Sequence, residues 1–401
     1  MYNAKIITFS PIHIGDGEEL IPLEYIEGEK EVKVYPFYYL IDKLYEKYED
    51  KIETIAPRLK MFAKKGELSK LEDFFSNLGV HLEPKYVLSK KVSVNGKNIK
   101  TFIKNMLGPY IPGSEIKGAL RTIFFYGILS ENQELKEKFY NKLKEILNNI
   151  ERDKANRGDL KKRFDEGLDK ENLEAWIFRS KIDGEKEGEN AQYDIFKAVQ
   201  VFDSEHVGYD KLYVDSVKVL NSRRPIEEYG EFLQKDLQIN FKIKIDQNAI
   251  EGLKKFYEFK EDFSNENLER VTFEFLKKSA INFYKKLIEN EKEFIEKRLK
   301  NSDEVKNSIK NQLEKLLEKI NNCEKSPKIV FPLRLGKHQG YLSLTIMQLV
   351  KEENKDLFEK VFKYSVQFVR EEVNKTRKIL GSESILPGWC FIYIDDKSKE
   401  V

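Results

Sequence analysis

The chain has 401 residues, 40% of them apolar and 12% aromatic, with 71 basic against 69 acidic side chains and a formal charge of +2. Aromatics at that density exclude a disordered chain, because their burial offsets the entropy of ordering. Near-neutrality excludes a uniformly basic nucleic-acid binder, so an anionic partner has to be held by local patches. Cys323 and Cys390 are isolated, which excludes a disulfide framework and a Cys-rich zinc site. No apolar run reaches the ~20 residues of a membrane helix. The expectation is a soluble cytoplasmic protein of two or three domains, at roughly 100–200 residues per domain.

In chain order, residues 4–9 predict a strand, closed by Ser10-Pro11 and the turn Gly15-Asp16-Gly17. A second apolar segment at 32–35 precedes a helix that Asp42 would cap. Tyr86-Val87-Leu88, then Asn95-Gly96 and Ile99–Ile103 predict a hairpin, since Asn-Gly supplies the positive φ angles of a type I′ turn. Ser114 is the expected N-cap of a helix from Glu115 to about Leu129. Strands follow at 198–202, 212–220 and 236–245, the last with Leu237, Ile239, Phe241, Ile243 and Ile245 on one face. Residues 267–322 predict a helical hairpin that turns at Asn301–Asp303, with Ser302 capping its second arm. The apolar stripe of that arm, from Val305 to Ile320, is expected to pack on the first arm rather than on a partner. A strand at 329–331, a helix from about Ser343 and a strand at 389–394 complete the series. Irregular strand–helix alternation with hairpins favours α+β domains over a doubly wound sheet. The boundary falls at Asn221–Pro225, giving an N-terminal domain at 1–220 and a C-terminal domain at 221–401 that carries the helical hairpin as an insertion at about 255–322.

Tyr110-Ile-Pro-Gly-Ser-Glu-Ile-Lys-Gly-Ala-Leu-Arg121 is the most informative segment. Gly113 lets the chain turn into a helix whose first turn presents N–H groups and the positive dipole end. Lys117 and Arg121 are four apart and share a face, and Gly118 lets a backbone approach. Ser114 would add a hydroxyl. This arrangement suits a phosphodiester; a capped helix with solvated cations is the competing reading. Arg334-Leu-Gly336-Lys337-His338-Gln-Gly340-Tyr-Leu-Ser343 is a second glycine loop suited to phosphates and a stacked base. It lacks the Gly-Lys-Ser/Thr ending of a P-loop. The four histidines have no partner at ligand spacing, so neither a metal nor another cofactor is expected. His13, in a loop after a strand, would serve as a general base or bond to backbone. Asp203 would cap a turn or orient a basic residue. Basic side chains at Lys100–Lys104 and at Lys375-Thr376-Arg377-Lys378 are further candidates.

Tyr110–Arg121 resembles the motif shared by the RAMP proteins, the ferredoxin-like RNA-binding subunits of CRISPR effector complexes. Ser10-Pro-Ile-His-Ile-Gly-Asp-Gly17 is similar to their N-terminal strand-loop, Asp194–Phe196 with Val201–Ser204 to their central strand signature, and Arg334–Ser343 to their C-terminal glycine loop. Lys375-Thr-Arg377 and Leu386-Pro-Gly-Trp389 resemble the end of the head-subunit branch found in type III-A Csm complexes. Lys337-His338-Gln339 depart from the smaller residues common in that loop. The resemblance implies two ferredoxin-like (RRM-type) domains with large helical insertions. It implies a non-catalytic subunit that holds the 3′ part of the crRNA and supports its 3′-end maturation and antiviral defence. The implied partners are crRNA and target RNA, other Csm subunits including the backbone RAMP subunit, and host ribonucleases. Gly113, Ser114, Lys117, Gly118, Arg121, Arg334, Gly336, Lys337 and Gly340 are the implied RNA contacts, with His13, Lys375 and Arg377 as further candidates. Two other readings stand beside it. One is a metal-independent repeat endoribonuclease in which His13 acts on a ribose 2′-hydroxyl and Lys117 or Arg121 stabilises the phosphate. The other is a scaffold that docks partners through its helical hairpin without RNA.

Overall fold

The computed structural model describes residues 1–65, 71–152, 162, 164–166, 174–179, 193–257, 264–365 and 376–395. It is α+β, as expected. The strands are β1 (Tyr2–Thr8), β2 (Gly15–Leu20), β3 (Tyr25–Glu27), β4 (Glu31–Val34), β5 (Tyr86–Lys90), β6 (Ile99–Phe102), β7 (Lys104–Asn105), β8 (Gly108–Pro109), β9 (Val199–Val201), β10 (Leu212–Leu220), β11 (Glu227–Leu233), β12 (Gln238–Ile245), β13 (Ile329–Arg334), β14 (Arg377–Leu380) and β15 (Trp389–Ile394).

The first sheet runs β13-β15-β1-β12-β9, every neighbouring pair antiparallel. The helix Gly113–Glu131 lies between β1 and β9 in the chain, and the helix Phe273–Lys297 between β12 and β13. The two helices pack on each other. This is the βαββαβ order of a ferredoxin-like unit, with β15 inserted beside β1. The alternation in β12 holds: Ile239, Phe241, Ile243 and Ile245 are buried while the residues between them are more open.

The unit draws its strands from residues 2 to 394, so the sheet joins both sides of the 220/221 boundary. That boundary lies between β10 and β11, which pair antiparallel from Leu212↔Leu233 to Lys218↔Glu227. The first arm of the hairpin expected as an insertion is the second helix of the unit itself. Ser302 does cap the second arm, accepting from the Val305 N–H at 3.4 Å. Ile309, Leu313, Leu316 and Ile320 are buried on that arm, which packs on the first as predicted.

The second sheet runs β2-β6-β11-β10-β5-β4-β3, with β14 also on β10. Asn95 and Gly96 take the expected positive φ angles of 54° and 66°. The strands on either side do not pair, however. β5 pairs in parallel with β10 and β6 in parallel with β11. The β10–β11 hairpin separates them, and Glu27 holds the turn by accepting from the N–H groups of Val94 and Asn95 at 2.8 and 3.0 Å. A satellite core of Leu40, Leu44, Leu59, Leu71 and Phe75 packs the helices between β4 and β5. The first of these starts at Phe37, ahead of the expected cap Asp42.

Candidate nucleic-acid interface

Four sequence motifs meet where the two sheets adjoin. The loop Ser10–Ile14 crosses from β1 into the second sheet, where Ile12 and Leu233 exchange backbone hydrogen bonds at 3.1 and 2.8 Å. The glycine loop after β13 lies over it, with the Lys337 N–H donating to the His13 carbonyl at 2.8 Å. Gly336 has φ +81°, and a Cβ there would stand 2.2 Å from the His13 carbonyl oxygen, so only glycine fits. The Gly388 N–H donates to Pro11 and its carbonyl accepts from Leu335, at 2.9 and 2.8 Å, which ties in the tail motif. Glu115, in the first turn of the Gly113 helix, accepts the Gly336 N–H at 2.8 Å.

The helix N-terminus is used differently from the expectation. Pro112, not Ser114, occupies the cap position. The Gly113 N–H donates to the Asp203 carboxylate at 2.8 Å, and Glu115 and Ile116 donate to the Pro112 carbonyl. Much of the supposed anion site is therefore satisfied within the chain. Gly113 is required because a Cβ would sit 2.4 Å from the Val201 carbonyl oxygen. Ser114 and Gly118 are exposed and Lys117 is half-exposed. Among the described residues, a Cβ on Gly118 would meet nothing within 4 Å. Burial pulls the Lys117 ammonium below its ordinary pKa, partly offset by Asp194.

Arg121 is engaged within the chain, with about a quarter of its side chain exposed. Its guanidinium bonds Asp194 at 2.9 Å and also Glu174, and stacks 3.6 Å over the Phe178 ring. Arg334 is likewise internal. It is fully enclosed, donates to the Pro387 carbonyl at 3.0 Å, and is held down to about 10 by burial. Arg377 is buried against Glu291 at 2.5 Å and lies 4.0 Å over Phe294. Arg334 and Arg377 are drawn into the core with their aliphatic stems, where a carbonyl, a carboxylate and aromatic rings meet the heads, whereas Arg121 is held by two carboxylates at a partly exposed site. Lys375 falls outside the described residues. Gly340 has φ +84° and opens the single helical turn Tyr341–Leu344.

His13 is buried, and its Nδ1 bonds the Glu231 carbonyl at 2.7 Å. A carbonyl only accepts, so Nδ1 carries the proton and Nε2 is the bare nitrogen. Nε2 is buried without a hydrogen-bond partner among the described residues, and lies against Gly15. A ribose hydroxyl cannot reach it without the loops parting, so the general-base geometry is not assembled. The His338 ring stacks on His13 with centroids 5.8 Å apart, and Phe232 lies against both. Burial pushes His13 down to about 4 and His338 to about 2. Neighbouring lysines add to both shifts.

Those lysines form the open charged feature of the junction. Lys378 stands opposite Val219, and Glu228 opposite Val217, so both share one face of the second sheet. Lys100, alongside Gly230, pairs with Glu228 at 2.6 Å. Lys337 comes in from the glycine loop and is exposed. Burial and then the Lys100 ammonium hold Lys337 below its ordinary pKa. Burial alone would raise Glu228; Lys100, Lys378 and Lys337 outweigh it and hold the carboxyl below its usual range. Three ammonium groups around one carboxylate leave a surplus positive charge, which is what a phosphate needs.

On the other face of β11 stands a buried carboxylate that sequence reading missed. Glu231 is fully buried on β11 and accepts from Tyr86 Oη, the Phe102 N–H and Lys104 Nζ at 2.9, 2.7 and 2.8 Å. Nothing in the Glu-rich, glycine-containing run 227–233 marks it as a central strand. Among the described residues no group of three or more His, Cys, Asp or Glu side chains is gathered to hold a metal ion. No described helix is long and apolar enough to cross a membrane.

A ferredoxin-like sheet whose helix and glycine loop are locked to an N-terminal strand-loop defines the class of α+β fold. The chain belongs to the RAMP superfamily, whose profile matches residues 5–337. Over 371 residues it is 25% identical to the CRISPR system Cms protein Csm5 of Methanocaldococcus jannaschii, covering 89% of this chain and 76% of that one. It is 26% identical over 259 residues to the Csm5 of Streptococcus thermophilus, covering 60% of this chain and 63% of that protein's length. A chain in a cryo-EM structure of a Csm–crRNA–target RNA ternary complex from a type III-A CRISPR-Cas system superposes with a TM-score of 0.69 at 25% identity, over 98% of this chain and 100% of that one. A crystal structure of T. onnurineus Csm5 shares the fold with a TM-score of 0.63 at 22% identity, over 97% and 99% of the two chains.

Proposed function

We propose that this chain is a subunit of a type III-A CRISPR effector complex, of the Csm5 kind, and that it binds the 3′ part of the crRNA without cutting it. The surplus charge of Lys100, Lys337 and Lys378, gathered where the RAMP motifs lock together, is the observation that carries this reading. Lys117, Ser114 and Gly118 on the open helix face extend the contact to a second stretch of backbone. Full-length similarity to a chain from an RNA-bound Csm assembly supports the same partners: crRNA, target RNA and other Csm subunits, the backbone RAMP subunit among them. Support of 3′-end maturation follows from holding that end and presenting it to host ribonucleases.

Filter binding of the purified chain to crRNA tests it. Lys337→Glu with Lys378→Glu is expected to weaken binding at least tenfold and to flatten the salt dependence by about 1.4 in log–log slope, at ~0.7 per phosphate on a single strand. Unchanged affinity and slope in the folded variant would refute the reading.

A further inference from the structure

The turn between β10 and β11 makes a second basic surface that no RAMP motif includes. It lines a cleft of about 870 Å³ with the turn that joins the two long helices. Among the described residues, Lys218, Arg223, Arg224, Arg298 and Lys300 line it together with Glu227, which lies 3.8 Å from Lys218. The cleft is a built feature. Asn221, at φ +57°, donates through Nδ2 to the Arg298 carbonyl at 2.9 Å and accepts the Lys300 N–H through Oδ1 at 3.0 Å. One amide therefore pins the hairpin to the end of the helix and fixes the spacing of the cations on both sides.

The cleft lies at the end of the hairpin that carries the lysine cluster. Val219 lines it and stands opposite Lys378, while Lys218 and Glu227 reach it from the other face of the sheet. From Gly230, beside Lys100, to Arg224 the chain runs six residues along β11 and its turn, roughly 20 Å at ~3.4 Å per residue. Among the described residues no aromatic side chain lines the cleft, so these offer charge and hydrogen bonds to phosphates rather than a stacking surface.

We propose that this cleft is a second phosphodiester-binding site, which grips single-stranded RNA leaving the lysine cluster without regard to sequence. The inference rests on the RNA-binding reading above and adds a direction to it: the strand passes from Lys100, Lys337 and Lys378 around the end of the β10–β11 hairpin.

The test uses the full chain, with oligouridylates of increasing length as probes and Arg223→Glu/Arg224→Glu as the variant. Both positions are exposed turn residues, and a thermal melt confirms folding. A milder Arg224→Gln variant covers the case in which the double reversal fails to fold. Short probes, which reach only the lysine cluster, are expected to bind the variant as they bind the parent. Probes long enough to span ~20 Å further are expected to lose at least fivefold in affinity, with a salt slope shallower by about 1.4. Equal binding of long probes by parent and variant overturns the second site. So does retained RNA binding accompanied by loss of association with another Csm subunit, which would make the cleft a protein-docking surface. Lys337→Glu/Lys378→Glu separates the two readings: if it weakens short probes while the arginine variant changes nothing, the cleft fails and the primary site stands. If neither variant matters, both fail.

Discussion

Glu115 and Gly336 are 221 residues apart and are joined by one hydrogen bond, in which the glycine N–H donates to the glutamate carboxylate at 2.8 Å. Through it the helix motif and the glycine-loop motif act as one structure. A charge-assisted bond of this kind contributes about 1.5–3 kcal/mol. Glu115→Ala is expected to destabilise the fold by that order and to weaken RNA binding, because Lys337 loses its fixed position. Glu115→Gln keeps an acceptor and is expected to recover most of the stability. Urea midpoints for the pair check this, and equal midpoints for Ala and the parent would remove the bond from the account.

Gly336→Ala is expected to be more damaging. It forces a Cβ to within 2.2 Å of the His13 carbonyl, at a φ that alanine avoids. Backbone strain and overpacking together cost about 2–5 kcal/mol. Gly118→Ala meets no neighbour and is expected to leave stability unchanged or slightly raised. Thermal melts of the two variants side by side make the comparison.

Acid sensitivity follows from the buried imidazoles. The folded pKa of His13 is about 4, below its ordinary 6.5. Between those values the unfolded chain binds a proton that the folded one does not. Stability present in full above pH ~6.5 is therefore lost as the pH falls toward 4, by an amount on the order of 3 kcal/mol for His13. His338, held lower still, adds a loss in the same direction. His13→Asn keeps a donor for the Glu231 carbonyl and does not titrate. It is expected to flatten the dependence of the urea midpoint on pH between 7.5 and 5 relative to the parent. An identical pH slope would show that His13 does not set it.

Arg121→Ala separates the structural from the binding role of that cation. Its loss strips Asp194 of its shortest ion pair, at 2.9 Å, and leaves Arg179 at 3.3 Å. A destabilisation of about 2–4 kcal/mol is expected, with little change in the salt slope of RNA binding. A slope shallower by ~0.7 in the folded variant would return Arg121 to the interface.

Much of the fold was legible from local signals. The alternation in β12 placed its face, Ser302 marked the start of the second hairpin arm, and Asn95-Gly96 made its turn. Each depends on contacts within a few residues. β11 was illegible because three of its seven residues are glutamates, a pattern that reads as loop. They are accommodated only because Lys218 reaches Glu227, Lys100 reaches Glu228, and Tyr86 and Lys104 reach Glu231. Those partners lie on other strands.

The motifs and their order, carried by the sequence alone, determined membership of the RAMP family and the residues that would build its loops. Which cations face outward was a tertiary decision. Arg334 and Arg377 are buried against a carbonyl, a carboxylate and aromatic rings, and Arg121 is held by two carboxylates, whereas Lys337 is exposed. Lys100, Lys337 and Lys378 all act on the Glu228 carboxylate. The balance of charge at a point in space depends on side chains from distant segments, and only the folded chain brings those together.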